Sequence, residues 1–209
     1  MFSYEEKIEK NLFPLIRKIK NPQILELGVR SGISTKKFLE ICNLNNGNLY
    51  SVDVDDCSNI VNDPKWNFIK SRDDDFNFVK SQIPEKLDVI FIDTLHEAKH
   101  VKKIFYNYYN NLRNGGLIFV DDISHLPYIK NDRKTDFYCE INNRETFNTL
   151  LQIYYYNHKS FTLNFSFESS GLAIIKKKSD DILKVSEKLN SREHSFKNLI
   201  RKLWLKIKN

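Results

Sequence analysis

The chain has 209 residues, 41% hydrophobic and 29% charged, with a formal net charge of +6. This is the length of one domain with an ordinary globular composition, and no apolar run approaches the roughly 18 residues needed to span a bilayer. Cys42, Cys57 and Cys139 are widely spaced and odd in number, which excludes a disulfide framework or a CxxC metal knuckle and reads as buried thiols in a reducing compartment.

Apolar residues at Ile8, Leu12, Leu15, Ile16 and Ile19 have helical spacing, interrupted at Pro14. They predict a broken helix or two short ones over Tyr4 to Lys20. Gln23 to Gly28 reads as a strand running into a glycine. Ser34 and Thr35 are then candidate N-caps of a helix over Lys36 to Cys42. After the Asn45-Asn46-Gly47-Asn48 turn, Leu49 to Val54 and Trp66 to Lys70 read as strands, and Phe76 to Ile83 as a helix. Leu87 to Asp93 is nearly continuous in apolar residues, as a strand buried on both faces should be. A helix is predicted over Glu97 to Leu112, ended by Asn114-Gly115-Gly116, and a strand over Leu117 to Asp122. A polar loop runs to Asn143, followed by a helix from Arg144 to about Tyr156. Phe161 to Phe167 and Gly171 to Ile175 then form a predicted antiparallel hairpin.

Strand and helix alternate through residue 122. The expected fold is α/β: a Rossmann-like, mostly parallel seven-stranded sheet with helices on both faces and an antiparallel C-terminal hairpin. The domain is placed at residues 1–180, followed by a basic amphipathic tail at 181–209. Residues 192–209 hold six basic side chains and one acid, so most of the net charge belongs to the tail.

In an open parallel sheet the ligand lies at the carboxyl ends of the strands. Here those ends carry Glu26-x-Gly28-x-x-x-Gly32, Asp53, Asp93-Thr94-Leu95-His96 and Asp121-Asp122. Carboxylates converging on one rim repel each other and call for a cation or a polar ligand. Gly28 and Gly32 permit close backbone approach to a ligand. Arg30 breaks the dinucleotide GxGxxG spacing.

Residues 24–35 (Ile-Leu-Glu-Leu-Gly-Val-Arg-Ser-Gly-Ile-Ser-Thr) resemble the first motif of class I S-adenosylmethionine-dependent methyltransferases, and Leu49 to Asp53 resemble the second. Asp88 to His96 and Asn114 to Asp122 resemble the metal-dependent small-molecule O-methyltransferase branch, which includes the catechol-type, macrocin and cephalosporin-hydroxylase-like enzymes. The resemblance covers about residues 22–125. It implies that Glu26 and the backbone around Gly28 face the methionine part of S-adenosylmethionine, with Gly32, Ser34 and Asp93 also on the cofactor. It puts the ribose on Asp53 and the adenine near Arg72 or Asp73. It makes Asp93, Asp121 and Asp122 ligands of a divalent cation, Mg²⁺ by its octahedral oxygen preference, and His96 the general base. The implied reaction is cation-assisted methyl transfer to a hydroxyl of a small molecule or glycan.

Two other readings compete: a nicotinamide-dependent oxidoreductase, and a non-catalytic cofactor-binding or membrane-associated module. Phe196, Leu199, Ile200, Leu203, Trp204 and Ile207 recur at helical spacing among basic residues. They predict a tail helix that packs on the domain or a second subunit, as in a homodimer, or lies on an anionic membrane. Nucleic-acid binding has less support, because no groove-reading motif is present. The acidic N-terminal residues argue against a signal peptide and for a cytoplasmic location, peripheral at a membrane if the tail binds lipid. The acceptor is expected to meet Ile123 to Asn143, with Tyr128, Arg133, Phe137 and Tyr138.

Overall fold

A computed structural model describes residues 4–124, 137–189 and 195–208. The N-terminal segment forms α1 (Tyr4–Asn11) and α2 (Phe13–Ile16). The break falls just before Pro14, whose missing N–H costs nothing in the first turn of a new helix. The strands are β1 (Gln23–Leu27), β2 (Asn48–Asp53), β3 (Trp66–Lys70), β4 (Leu87–Ile92), β5 (Leu112–Asp121), β6 (Phe161–Ser166) and β7 (Leu172–Lys177). Between them lie α3 (Ile33–Asn45), α4 (Phe76–Gln82), α5 (Ala98–Tyr109) and α6 (Phe137–Asn157), and α7 (Phe196–Lys208) follows.

The strand order is β3-β2-β1-β4-β5-β7-β6. β1 to β5 are parallel; β7 runs antiparallel to β5 and to β6. The expected Rossmann-like sheet with its closing hairpin is therefore present. The order reverses between β1 and β4, which opens a crevice at their carboxyl ends. β4 is buried at all six positions.

Side-chain alternation sorts the core onto two faces. Leu25, Leu27, Ile90, Ile92, Ile118 and Val120 pack with Val101, Ile104, Phe105 and Tyr108 of α5 and with Leu150 and Ile153 of α6. Ile24, Phe91 and Phe119 face the other way, against Ile8, Leu12, Ile16, Phe38 and Ile41. Glu26 shares that second face and is fully buried.

Four local expectations are corrected. Gly32, at φ +74°, is the N-cap of α3, so Ser34 and Thr35 lie inside the first turn with their hydroxyls turned inward. α5 ends at Tyr109 with a right-handed cap. Asn114-Gly115-Gly116 instead lies within β5, where its register to β4 shifts, and Gly115 takes φ +82°. α6 begins at Phe137 rather than Arg144. Cys139, expected to be buried, is exposed.

None of the residues of α7 is buried, so the tail helix does not pack on the domain. Residues just after β7 do: the Tyr106 hydroxyl donates to the Lys184 carbonyl at 2.8 Å, and Lys102 Nζ to the Ser186 carbonyl at 2.5 Å. Among the described residues no helix is long and apolar enough to cross a membrane.

Candidate active site

The β1–α3 connection carries φ +97° at Gly28, +50° at Arg30 and +74° at Gly32. This turn aims the backbone N–H groups of Val29 and Arg30 at Asp53 Oδ2, 2.8 and 3.1 Å away. Asp53 Oδ1 accepts a third bond, from Asp55 N–H at 3.0 Å. Partial burial raises the Asp53 pKa, but the backbone donors outweigh it, and the carboxyl stays below its usual range.

A Cβ on Gly28 would stand 1.9 Å from the carbonyl oxygen of Asp93, and one on Gly32 would stand 2.3 Å from Ile60 Cγ2. Both positions thus require glycine for their close approach to protein atoms. Gly28 also lines the crevice; Gly32 is not among its lining residues.

The crevice has two lobes. A lobe of about 250 Å³ is lined by Asp53, Asp55, Ser71 and Asp73. A larger lobe of about 650 Å³ is lined by Tyr4, Ser34, His96, Asp121 and Asp122. Gly28, Arg30, Asp93 and Thr94 border both.

Glu26 lies behind the wall. Its Oε2 accepts the Thr35 and Ser51 hydroxyls at 2.8 and 2.6 Å. Oε1 has no hydrogen-bond partner among the described residues. Burial pushes the carboxyl up to about 7, against the pull of the Ser34, Ser51 and Thr35 hydroxyls. Arg72 turns outward onto Asp74 at 2.9 Å, whereas Asp73 reaches the small lobe. His100 is nearly buried, with Nε2 2.8 Å from Asp73 Oδ2.

Asp93, Asp121 and Asp122 do meet at one rim, but each faces a protein partner. Tyr4 Oη donates to Asp93 Oδ2 at 2.6 Å. Lys7 Nζ is ion-paired with Asp121 Oδ1, and both side chains are essentially fully buried. Lys7 also reaches Ser170 Oγ at 2.7 Å. His96 Nε2 lies 3.3 Å from Asp122 Oδ2 and 3.8 Å from Asp93 Oδ1.

Asp122 itself sits at φ +56°, a left-handed conformation that costs on the order of 1 kcal/mol in a non-glycine residue. Its N–H is held by Asp121 Oδ1 at 2.8 Å. Burial, then the Asp121 charge, raises the Asp93 pKa. Burial also raises that of Asp121, opposed by Lys7. Burial and both carboxylates hold Tyr4 firmly protonated.

The divalent cation that the sequence resemblance implies does not fit this arrangement. Three oxygen ligands with open positions are expected of such a site, but Lys7 and Tyr4 already fill the space on the α1 side. Among the described residues no group of three or more His, Cys, Asp or Glu side chains is placed to hold a metal. Residues 125–136 of the predicted acceptor loop, Tyr128 and Arg133 included, lie outside the described residues, as do the side chains of Phe137 and Tyr138.

Tyr4, Lys7 and Ser170 were not expected at the site. The first two had a signal: Tyr4, Lys7, Ile8, Asn11 and Leu12 follow i, i+3, i+4, i+7, i+8 spacing, which puts a lysine on the buried stripe of its helix. Ser170, on a hairpin turn, had none.

Residues 25–123 match a sequence family described as a methyltransferase domain. Over that span, which runs from β1 through β5, the chain is similar to methyltransferase domains. The MycE methyltransferase of the mycinamycin biosynthetic pathway, solved with Mg and SAH, is similar at 17% identity and a TM-score of 0.65, over 86% of this chain and 52% of that one. The chain therefore spans about half the length of MycE. A putative caffeoyl-CoA O-methyltransferase from Staphylococcus aureus is similar at 20% identity and a TM-score of 0.61, over 85% of this chain and 84% of that one. SAH-bound PaMTH1 from Podospora anserina gives 15% and 0.59, over 75% and 71%. At these identities the likeness is one of fold. No curated protein sequence matches. The family match ends at residue 123, just past the Asp121-Asp122 pair, and starts after α1.

Proposed function

We propose that the domain transfers a methyl group from S-adenosylmethionine to a hydroxyl oxygen of a small molecule or sugar. The observation that carries this reading is the two-lobed crevice, with hydroxyl-accepting carboxylates at one end and a His96–Asp122 pair at the other. The SAH carried by similar methyltransferases supports the cofactor.

The residues present fit that cofactor. Asp53 and Asp73 line the smaller lobe, where carboxylate oxygens accept ribose hydroxyls and polar base edges. Asp93 borders both lobes, close to where they join at Gly28. When bound, the cofactor supplies an electrophilic methyl group on a sulfonium.

The chain's own residues do the rest. His96 accepts the acceptor's hydroxyl proton as the oxygen–methyl bond forms. Asp122, 3.3 Å from Nε2, orients the ring. α1 closes one side of the larger lobe through Tyr4 and limits water there. No step passes through a divalent cation.

Thermal shift separates the classes: SAH raises the melting temperature and NAD does not. The reverse result would sink the reading in favour of an oxidoreductase. A labelled-methyl assay over sugars and phenols then identifies the acceptor. His96→Ala should lower turnover about 100- to 10,000-fold while the SAH-induced shift persists. Equal turnover would remove His96 from the mechanism.

A further inference from the structure

We propose that the Lys7 ammonium and the Tyr4 hydroxyl hold the place a divalent cation would take among Asp93, Asp121 and Asp122, so that this site works without a metal. The chemical consequence rests on the methyl-transfer reading; the ion-binding consequence does not.

The three carboxylates are divided one to a partner: Tyr4 on Asp93, Lys7 on Asp121 and His96 on Asp122. A divalent cation binds such oxygens at about 2.0–2.6 Å. An ion that close to Asp121 Oδ1 would collide with the ammonium already bonded there and be repelled by its charge. Lys7 cannot simply swing aside. Its side chain is fully buried, it also bonds Ser170 Oγ, and its Nζ lies 4.8 Å over the Tyr4 ring. The helix that carries it is held at further points. Asn11 Nδ2 donates to Glu168 Oε2 at 3.0 Å, and Lys37 pairs with Glu5 and Glu9 at 2.9 and 2.6 Å.

Lys7 does not touch the crevice, so it is a positioning residue. It fixes Asp121, Asp121 Oδ1 holds the Asp122 N–H at 2.8 Å, and the left-handed Asp122 turns its carboxylate to His96. The fixed ammonium thereby does two things a bound metal would do: it offsets the charge of the buried Asp121 carboxylate and orients the groups around it.

The test is Mn²⁺ binding by the full chain, followed by electron paramagnetic resonance, alongside thermal shift in Mg²⁺ and turnover in EDTA. Wild type is expected to leave the free Mn²⁺ signal unchanged at millimolar metal, to gain no stability from Mg²⁺ and to lose no turnover in EDTA. Lys7→Met and Tyr4→Phe, which strip partners from the carboxylates, should each lower the free Mn²⁺ signal by about one equivalent where wild type leaves it unchanged. One equivalent of Mn²⁺ on wild type, abolished by Asp121→Asn, would overturn the proposal; so would a folded Lys7→Met that gains no Mn²⁺. If Lys7→Met does not fold, the wild-type titration alone decides. A chain inert toward S-adenosylmethionine would defeat the proposed function and leave the metal result standing.

A second inference rests on α7 alone. Phe196, Leu199, Ile200, Leu203, Trp204 and Ile207 form one exposed stripe. Lys197, Arg201, Lys202, Lys206 and Lys208 flank it, with no acid in residues 195–208. An apolar stripe bordered by cations matches the boundary of an anionic bilayer, and we infer that α7 lies on such a surface. The full chain should cosediment with phosphatidylglycerol vesicles, less so at high salt, and not with phosphatidylcholine alone; Leu203→Glu should abolish binding. Self-association in the ultracentrifuge without vesicle binding would overturn this in favour of a second copy.

Discussion

Helices α1 and α7 are built from similar material and are held very differently. Both are short and lysine-rich, and α7 carries far more apolar surface. Yet α1 buries Ile8 and Lys7, while α7 buries nothing. Amphipathic spacing gives a helix a face; it does not give that face a partner. α1 docks because its stripe includes a phenol that meets the half-buried Asp93 and an ammonium that meets the buried Asp121, above an apolar bed of Leu12, Ile24 and Phe38. The apolar stripe of α7 stays exposed.

The largest expected effect breaks that comparison at its polar contact. Lys7→Met leaves Asp121 buried without its cation and should destabilise the fold by about 3–5 kcal/mol near neutral pH. Adding Asp121→Asn should recover part of the loss in urea unfolding, and no recovery would mean that packing, not charge, holds α1. Ile8→Ala tests the apolar half and should cost about 3 kcal/mol by the same measurement.

Glu26 sharpens the contrast by pH. Its folded value of about 7 lies above the ordinary 4.5, so its contribution to stability is complete below pH 4.5 and is lost as pH rises through 7. The shift corresponds to about 3 kcal/mol. Wild type should lose stability over that window, and Glu26→Gln should flatten the profile; parallel profiles for the two proteins would contradict the placement. The smallest effect is expected at α7: Leu203→Ala should stay within about 0.5 kcal/mol, and a larger loss would show that the helix is packed.

The sheet was legible in the sequence because each of its strands is marked by a local run: the continuous apolar Leu87–Ile92, the strand-end acids, the period-two Phe161–Ser166. The glycine turn was legible too, although its reason was not. Gly28 is demanded by the Asp93 carbonyl, an atom 65 residues away whose closeness depends on β1 and β4 being neighbours. Asn114-Gly115-Gly116 was misplaced because a left-handed glycine looks the same at a helix end and at a strand irregularity. The partners of the acids were the least legible part. Lys7 and Asp121 stand 114 residues apart, and only the sheet order brings them together.

That separation has a consequence for synthesis. Lys7 leaves the ribosome 114 residues before Asp121 and 163 before Ser170. At ordinary elongation rates it waits on the order of ten seconds for its last partner. The five parallel strands can pair in the order they are made, but the charged knot that closes the crevice cannot be tied until the final hairpin emerges. A nascent chain stalled before residue 170 should therefore hold a formed sheet beneath a first helix that is still unlatched.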